Sequence, residues 1–175
     1  MGIKTSSKRR HVVGVSPLSP KRKNMKPPFL GGIQLEKTLV IQRPVAEVYR
    51  FWRDFENLSS FLNHIKSVTL GPDGRSHWVA EAPAGTTVEW DAGIINDIPN
   101  ELISWRSLEN SQIDNAGSVH FRPAPGGGTE VKIALTYNPP AGPIGEAFAL
   151  LFAEEPAQQM EADLSELKHL MESTS

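Results

Sequence analysis

The sequence predicts an α+β domain in which a curved antiparallel sheet of about six to seven strands wraps one long C-terminal helix, with two short helices after the first strand. Three observations carry that reading. Between residues 66 and 138 apolar and polar side chains alternate with a period of two, as in SHWVAEAPAGTTVEWDAGI at 76–94. Turn sequences break the alternation at short intervals. Beyond residue 144 the apolar positions recur at steps of three and four as far as Met171.

A chain of 175 residues, 39% of them hydrophobic, has room for one ordinary core, and a second domain is not expected. Its net charge of -2 conceals an asymmetry. Eight of the 18 lysines and arginines precede the first acid, Glu36, which leaves ten to face all 20 acids in the rest of the chain. The basic segment is also rich in serine and proline, a composition that buries too little apolar surface to offset its ordering entropy. The expected organisation is a disordered basic N-terminal arm over residues 1–30 and a single folded domain over residues 31–173. The clusters KRRH and KRK in that arm suit weak contact with nucleic acid or an anionic membrane; a solvated arm with no partner is the alternative. The arm lacks the apolar middle of a secretory signal, and no apolar run approaches the roughly 18 to 20 residues that cross a bilayer. The chain has no cysteine, so it carries no disulfide framework, thiolate metal site or cysteine nucleophile. A cytoplasmic location is expected.

Taken in order, GIQLEKTLVIQ at 32–42 alternates Ile33, Leu35, then Leu39 and Ile41 with polar neighbours and reads as the first strand. Pro44 suits the first turn of a helix, where its missing N–H is not needed, and Val45, Val48, Tyr49 and Trp52 recur on one helical face. DFENLSSFLNHI offers a second short helix with Leu58, Phe61, Leu62 and Ile65 as its apolar positions, and Asp54 suits a cap between the two. GPDG at 71–74, PAG at 83–85, IPNE at 98–101, the ENSQIDNAG loop and PAPGGG at 123–128 then separate the strands of a meander. PPAGP at 139–143 ends the sheet. Ile144, Phe148, Leu151, Phe152, Met160, Leu164, Leu167 and Met171 mark the long helix, which Pro156 is expected to kink or split.

Strand parity assigns the faces. Trp78, Ala80, Val88, Trp90, Ala92, Ile94, Ile103, Trp105, Val119, Phe121, Val131, Ile133, Leu135 and Tyr137 form one apolar face directed at the long helix. The opposite parity carries His77, Glu81, Glu89, Asp91, Ser104, Arg106, His120, Arg122, Glu130 and Lys132, which suits water. A strongly curved sheet around one helix is hard to fill, and Ala80, Ala92, Ala147 and Ala149 leave space beside large rings. A groove lined by Trp78, Trp90, Trp105, Phe121, Tyr137, Phe148 and Phe152 would take an apolar small molecule; alternatively the same rings pack on one another as a solid core.

The order RPVAEVYRFWRDFENLSSFLNHIKSV, GRSHWVAEAP, VEWDAGI, ISWRS, GSVHFRP, GGGTEV and LTYNPPAG, ending in DLSELKHLME, resembles bacterial cyclase/dehydrase proteins of the SRPBCC, or START-like, helix-grip superfamily. That superfamily also holds aromatase/cyclases, coenzyme Q-binding proteins and plant pathogenesis-related allergens. The resemblance runs from about residue 33 to residue 172. It implies a helix-grip fold with a hydrophobic cavity between sheet and C-terminal helix, opening near Pro139 to Pro143 and the short helices. It implies as ligand a lipid, a quinone or a polyketide-like molecule, carried or sensed by some members and cyclised or dehydrated by others. A ribosome-associated toxin branch, which would act through a macromolecular partner without a small ligand, is a further alternative.

An enzyme of this kind needs polar groups converging inside the cavity. Tyr137 falls on the inward parity and is the first candidate, against the alternative of a core tyrosine whose hydroxyl reaches the rim. Arg106 is the second, because the resemblance implies that an arginine can hold an enolate in the pocket. It is out of phase with Trp105, however, and unless a bulge shifts the register it faces water or pairs with Glu89 or Asp91. His64, His77 and His120 lack a second ligand at metal spacing, so neither a metal nor another cofactor is expected. No nucleophile elbow, GxGxxG or P-loop occurs, and GGGT reads as a hairpin turn.

Overall fold

The computed structural model describes residues 33–81, 85–109, 111–138 and 156–173. The element order is β1 (Ile33–Ile41), α1 (Val45–Arg53), a 3-10 helix (Phe55–Ser60), β2 (Ile65–Leu70), β3 (Ser76–Glu81), β4 (Thr87–Ile98), β5 (Leu102–Ser107), β6 (Asp114–Pro123), β7 (Thr129–Asn138) and α2 (Pro156–Ser173). The strands form one seven-stranded antiparallel sheet in the order β1-β7-β6-β5-β4-β3-β2. Every neighbour except the β1–β7 pair is joined by a local hairpin, so β1, the first strand, closes the sheet against the last. This is the α+β helix-grip arrangement that the sequence predicts. The proposed arm and residues 139–155, including Ile144, Ala147, Phe148, Ala149, Leu151 and Phe152, lie outside the described residues.

Turn chemistry sets the registers. At the β6–β7 turn Gly126 and Gly127 hold φ of +86° and +87°, and Ala124 N–H donates to Gly128 O at 2.8 Å. The β4–β5 turn uses Asn100 at φ 64°, a conformation asparagine adopts more readily than most side chains. Asp54 caps both short helices: its N–H bonds Arg50 O, and its carboxylate accepts from Glu56 N at 3.3 Å. Downstream of it the second helix is 3-10 and only six residues long, with Ser59 and Ser60 hydroxyls donating to the backbone carbonyls of Glu56 and Asn57. Hence Ile65, expected on that helix, begins β2 instead.

The inward parity holds along the sheet. Trp78, Ala80, Val88, Ala92, Ile103, Trp105, Val119, Phe121, Val131, Ile133 and Tyr137 are buried, and α1 adds Val48, Tyr49 and Trp52. From α2 come Leu164, Leu167 and Met171, together with the buried acid Asp163. The outer face carries cross-strand polar pairs: a hydrogen bond between His77 and Asp91 at 2.8 Å, and ion pairs of Arg122 with Glu130 at 2.7 Å and Lys132 with Glu36 at 3.3 Å. Ser104 departs from the expected watery face. A register shift between Ile94 and Asn96 lets Asn96 Nδ2 donate to Ser104 Oγ at 2.8 Å, and Ser104 is buried.

Polar contacts tether the helices to the sheet. Asp97, just past that bulge, accepts from Arg53 Nε at 2.6 Å and from the Tyr49 hydroxyl of α1. Burial opposes the Asp97 charge, yet the bonds from Tyr49 and Arg53 outweigh it and hold the carboxyl below its ordinary pKa. At the other end α2 lies along β1, where Lys168 Nζ donates to Val40 O at 2.7 Å and Glu172 accepts from Gln42 N at 2.9 Å. No helix among the described residues is long and apolar enough to cross a membrane.

Candidate functional site

Sheet and α2 do not close fully on one another. Between them lies a cavity of about 180 Å³. Its sheet wall comes from Leu35 of β1, Ala80, Trp90 and Trp105 of β3 to β5, Asn115 of β6, and Ile133, Leu135 and Tyr137 of β7. Trp52 of α1, with Leu62, His64 and Ile65 from the turn into β2, forms one side. Gln159, Met160, Asp163 and Leu164 of α2 form the cover. Small Ala80 beside Trp90 and Trp105 leaves the space, because the rings cannot fill the volume above an alanine on a curved sheet.

Two indoles are held rigidly. Trp90 stacks on Trp78 with centroids 5.7 Å apart and planes 13° from parallel, and Trp78 Nε1 donates to Ser76 Oγ at 2.9 Å. Phe55 meets Trp78 and Trp105 edge-on at 5.9 and 5.8 Å. Trp105 lies across Gly117, its β6 partner: a Cβ there would sit 2.3 Å from Trp105 Cζ2. The glycine therefore sets how deep the indole rests and how much cavity remains above it.

Of the seven rings expected to line a groove, Trp90, Trp105 and Tyr137 stand at the cavity wall. Trp78 lies behind Trp90, and Phe121 packs edge-on against Tyr49 at 5.7 Å in the filled core. Phe148 and Phe152 lie outside the described residues. Of the two catalytic candidates, Tyr137 is buried, and burial raises its hydroxyl above the ordinary pKa, so the phenol stays neutral. Arg106 stands opposite Gly93 and Ala116, on the parity of Asp91 and His77, and is not part of the cavity wall. The β4 bulge comes after Ile94 and leaves the Trp105–Ile94 and Arg106–Gly93 pairs in phase, so it does not turn Arg106 inward.

The wall contains residues that parity on the strands does not select. Trp52 belongs to the apolar face of α1, and its indole Nε1 is buried with no hydrogen-bond partner among the described residues. Asp163, on α2, is a second. Its Oδ1 accepts from Asn63 Nδ2 at 2.8 Å, Gln159 Nε2 at 3.0 Å and Asn63 N at 3.4 Å, which ties α2 to the turn before β2. Burial raises its pKa; the bonds from Asn63 and Gln159 and the nearby His64 oppose that rise without cancelling it. The one sequence signal for Asp163 is its position, three residues after Met160 and four before Leu167 on the apolar face of the helix. No group of three or more metal-ligating side chains occurs among the described residues.

Comparison with known proteins places this geometry. Residues 41–165 match the family described as Polyketide cyclase / dehydrase and lipid transport. The structure is similar to that of DR_A0006 from Deinococcus radiodurans, at 39% identity over 80% of this chain and 97% of that one, with a TM-score of 0.66. It also resembles TTHA0849 from Thermus thermophilus, at 26% identity over 82% and 99% of the two chains and a TM-score of 0.63. A START superfamily protein from Mycobacterium smegmatis shares the fold at 15% identity over 81% and 99%, with a TM-score of 0.60. An uncharacterized 17.2 kDa protein of Streptomyces lincolnensis is 26% identical over 106 residues, which are 61% of this chain and 69% of that protein.

Proposed function

We propose that this chain, which belongs to the Polyketide cyclase / dehydrase and lipid transport family, takes a compact apolar molecule into the cavity between sheet and α2 and carries or senses it. The supporting observation is the cavity itself. Its wall is carbon from Leu35, Ile65, Ile133, Leu135, Met160 and Leu164, faced by the rings of Trp52, Trp90 and Trp105, with a few polar groups at its margins. Transfer of an apolar body from water to such a wall is favourable, and the indoles add flat, rigid contact area. Engineered cavities of about 150 Å³ hold a benzene, so one or two fused rings, or the head of a longer lipid or quinone, match this volume.

Native mass spectrometry of gently purified full-length protein, followed by denaturing extraction, tests the reading. A stoichiometric apolar compound released on denaturation is the expected result. Protein that is empty on purification and whose tryptophan emission ignores a panel of small aromatic and aliphatic compounds would overturn it.

A further inference from the structure

Within a nearly all-carbon wall, Asp163 is the one acid among the described residues, and it is only 8% exposed. All three hydrogen bonds that it accepts fall on Oδ1, and among the described residues none falls on Oδ2. The donors on Oδ1 come from two directions, the 63–64 turn and the preceding turn of α2, and so fix the plane of the carboxyl. A carboxylate held in that way keeps its second oxygen as a positioned acceptor, and a hydrogen bond to a charged acceptor is stronger than one to a neutral group. The other titratable groups in the wall among the described residues are His64, from the turn facing α2, and Tyr137 of β7.

We infer that Asp163 Oδ2 is the polar anchor of the cavity and accepts a hydrogen bond from a hydroxyl on an otherwise apolar, compact ligand, such as a phenol or hydroquinone. The inference rests on the cavity being a ligand site and adds the ligand's polar group to it. An ether, ester or simple ketone sets one acceptor against another there, and a carboxylate sets charge against charge. Such compounds are discriminated against by the donor they lack, not by size. The discrimination belongs to the ionised carboxyl, because a protonated Asp163 would donate instead.

Isothermal titration calorimetry of the full chain with naphthol and with its methyl ether, in mildly alkaline buffer, reads this directly. The expected result is naphthol bound about tenfold more tightly, in keeping with a hydrogen bond to a charged group. In Asp163→Asn the amide oxygen can keep the bonds from Asn63 and Gln159 while the NH2 replaces Oδ2, so the tenfold preference should collapse to near parity. Comparing the ratio between the two proteins removes any difference in probe size. Equal affinity of the wild-type protein for both probes overturns the anchor and leaves the cavity reading standing, even if the variant fails to fold. A preference that persists in Asp163→Asn also overturns it. Binding of neither probe overturns the cavity reading and the anchor with it.

Discussion

One apolar sheet face is packed in two different ways. Under α1 and the 3-10 helix it is filled: Phe55, Leu58 and Phe61 are each at most 1% exposed, and Trp52, Trp78, Trp105 and Phe121 interlock with them. Elsewhere on the sheet a smaller group of Val88, Ile113 and Tyr137, flanked by Leu35, Trp90 and Leu135, borders the cavity under α2. The strand residues of both patches follow the same inward parity. They differ in what covers them. Two short helices deliver several aromatic rings into a small area, whereas α2 delivers Met160, Leu164 and the polar pair Gln159 and Asp163, which leave volume behind. Apolar patterning thus selects the inside of the domain, and side-chain volume on the covering element decides whether that inside is solid or hollow.

The sharpest way to break this contrast is Phe55→Ala. It removes a fully buried ring touching Trp78 and Trp105, and should cost about 3–5 kcal/mol in a urea unfolding titration. A loss below about 1 kcal/mol would mean that the packed half is as loose as the other. Gly117→Ala comes next. Its methyl meets the Trp105 indole, so the ring must shift toward the cavity, with about 1–3 kcal/mol lost from stability and a fall in affinity for aromatic probes that exceeds the stability effect. Thermal melts and calorimetry on the same sample separate the two. Leu135→Ala, half-buried beside existing empty volume, should cost only about 1 kcal/mol while improving affinity for a bulkier probe. A cost matching Phe55→Ala would erase the distinction between the halves.

The smallest effect is a pH dependence. Asp163 has a raised pKa in the fold because it is buried, so both folded and unfolded chains bind its proton at low pH. As pH climbs, the unfolded chain releases it first, and this group's contribution to stability falls until the raised folded pKa is passed, after which it is flat. Asp97 acts in the opposite sense, because its lowered pKa makes its contribution present above the ordinary carboxylate range and lost on acidification. The difference between wild type and Asp163→Asn, followed by melting temperature from acid to neutral pH, isolates the first. The variant should gain relative to wild type as pH rises; a constant difference would mean that Asp163 is solvated as an ordinary carboxylate.

How much was legible follows from the range of each interaction. The strand faces, the meander, the two short helices joined at Asp54, and the apolar face of α2 are written locally. Periods of two and of three to four, glycines in turns and a capping acid act over a few residues, and they set the elements and their faces, whereas the closure of the sheet by β1 on β7 joins its first strand to its last and is not local. Trp90, Trp105 and Tyr137 were identified by parity, which fixes the direction of a side chain. Parity does not fix depth, so it could not separate them from Trp78 and Phe121, whose burial depends on which covering ring lies above. The polar margin of the cavity was not written locally at all. Asp163 meets Asn63 across 100 residues of sequence, and Trp105 finds its depth from a glycine on the next strand. Sequence alone determined which residues face inward, because that is a property of backbone periodicity; only the tertiary structure decided where the inside is left empty, because a void is the difference between the volume two elements enclose and the volume their side chains fill.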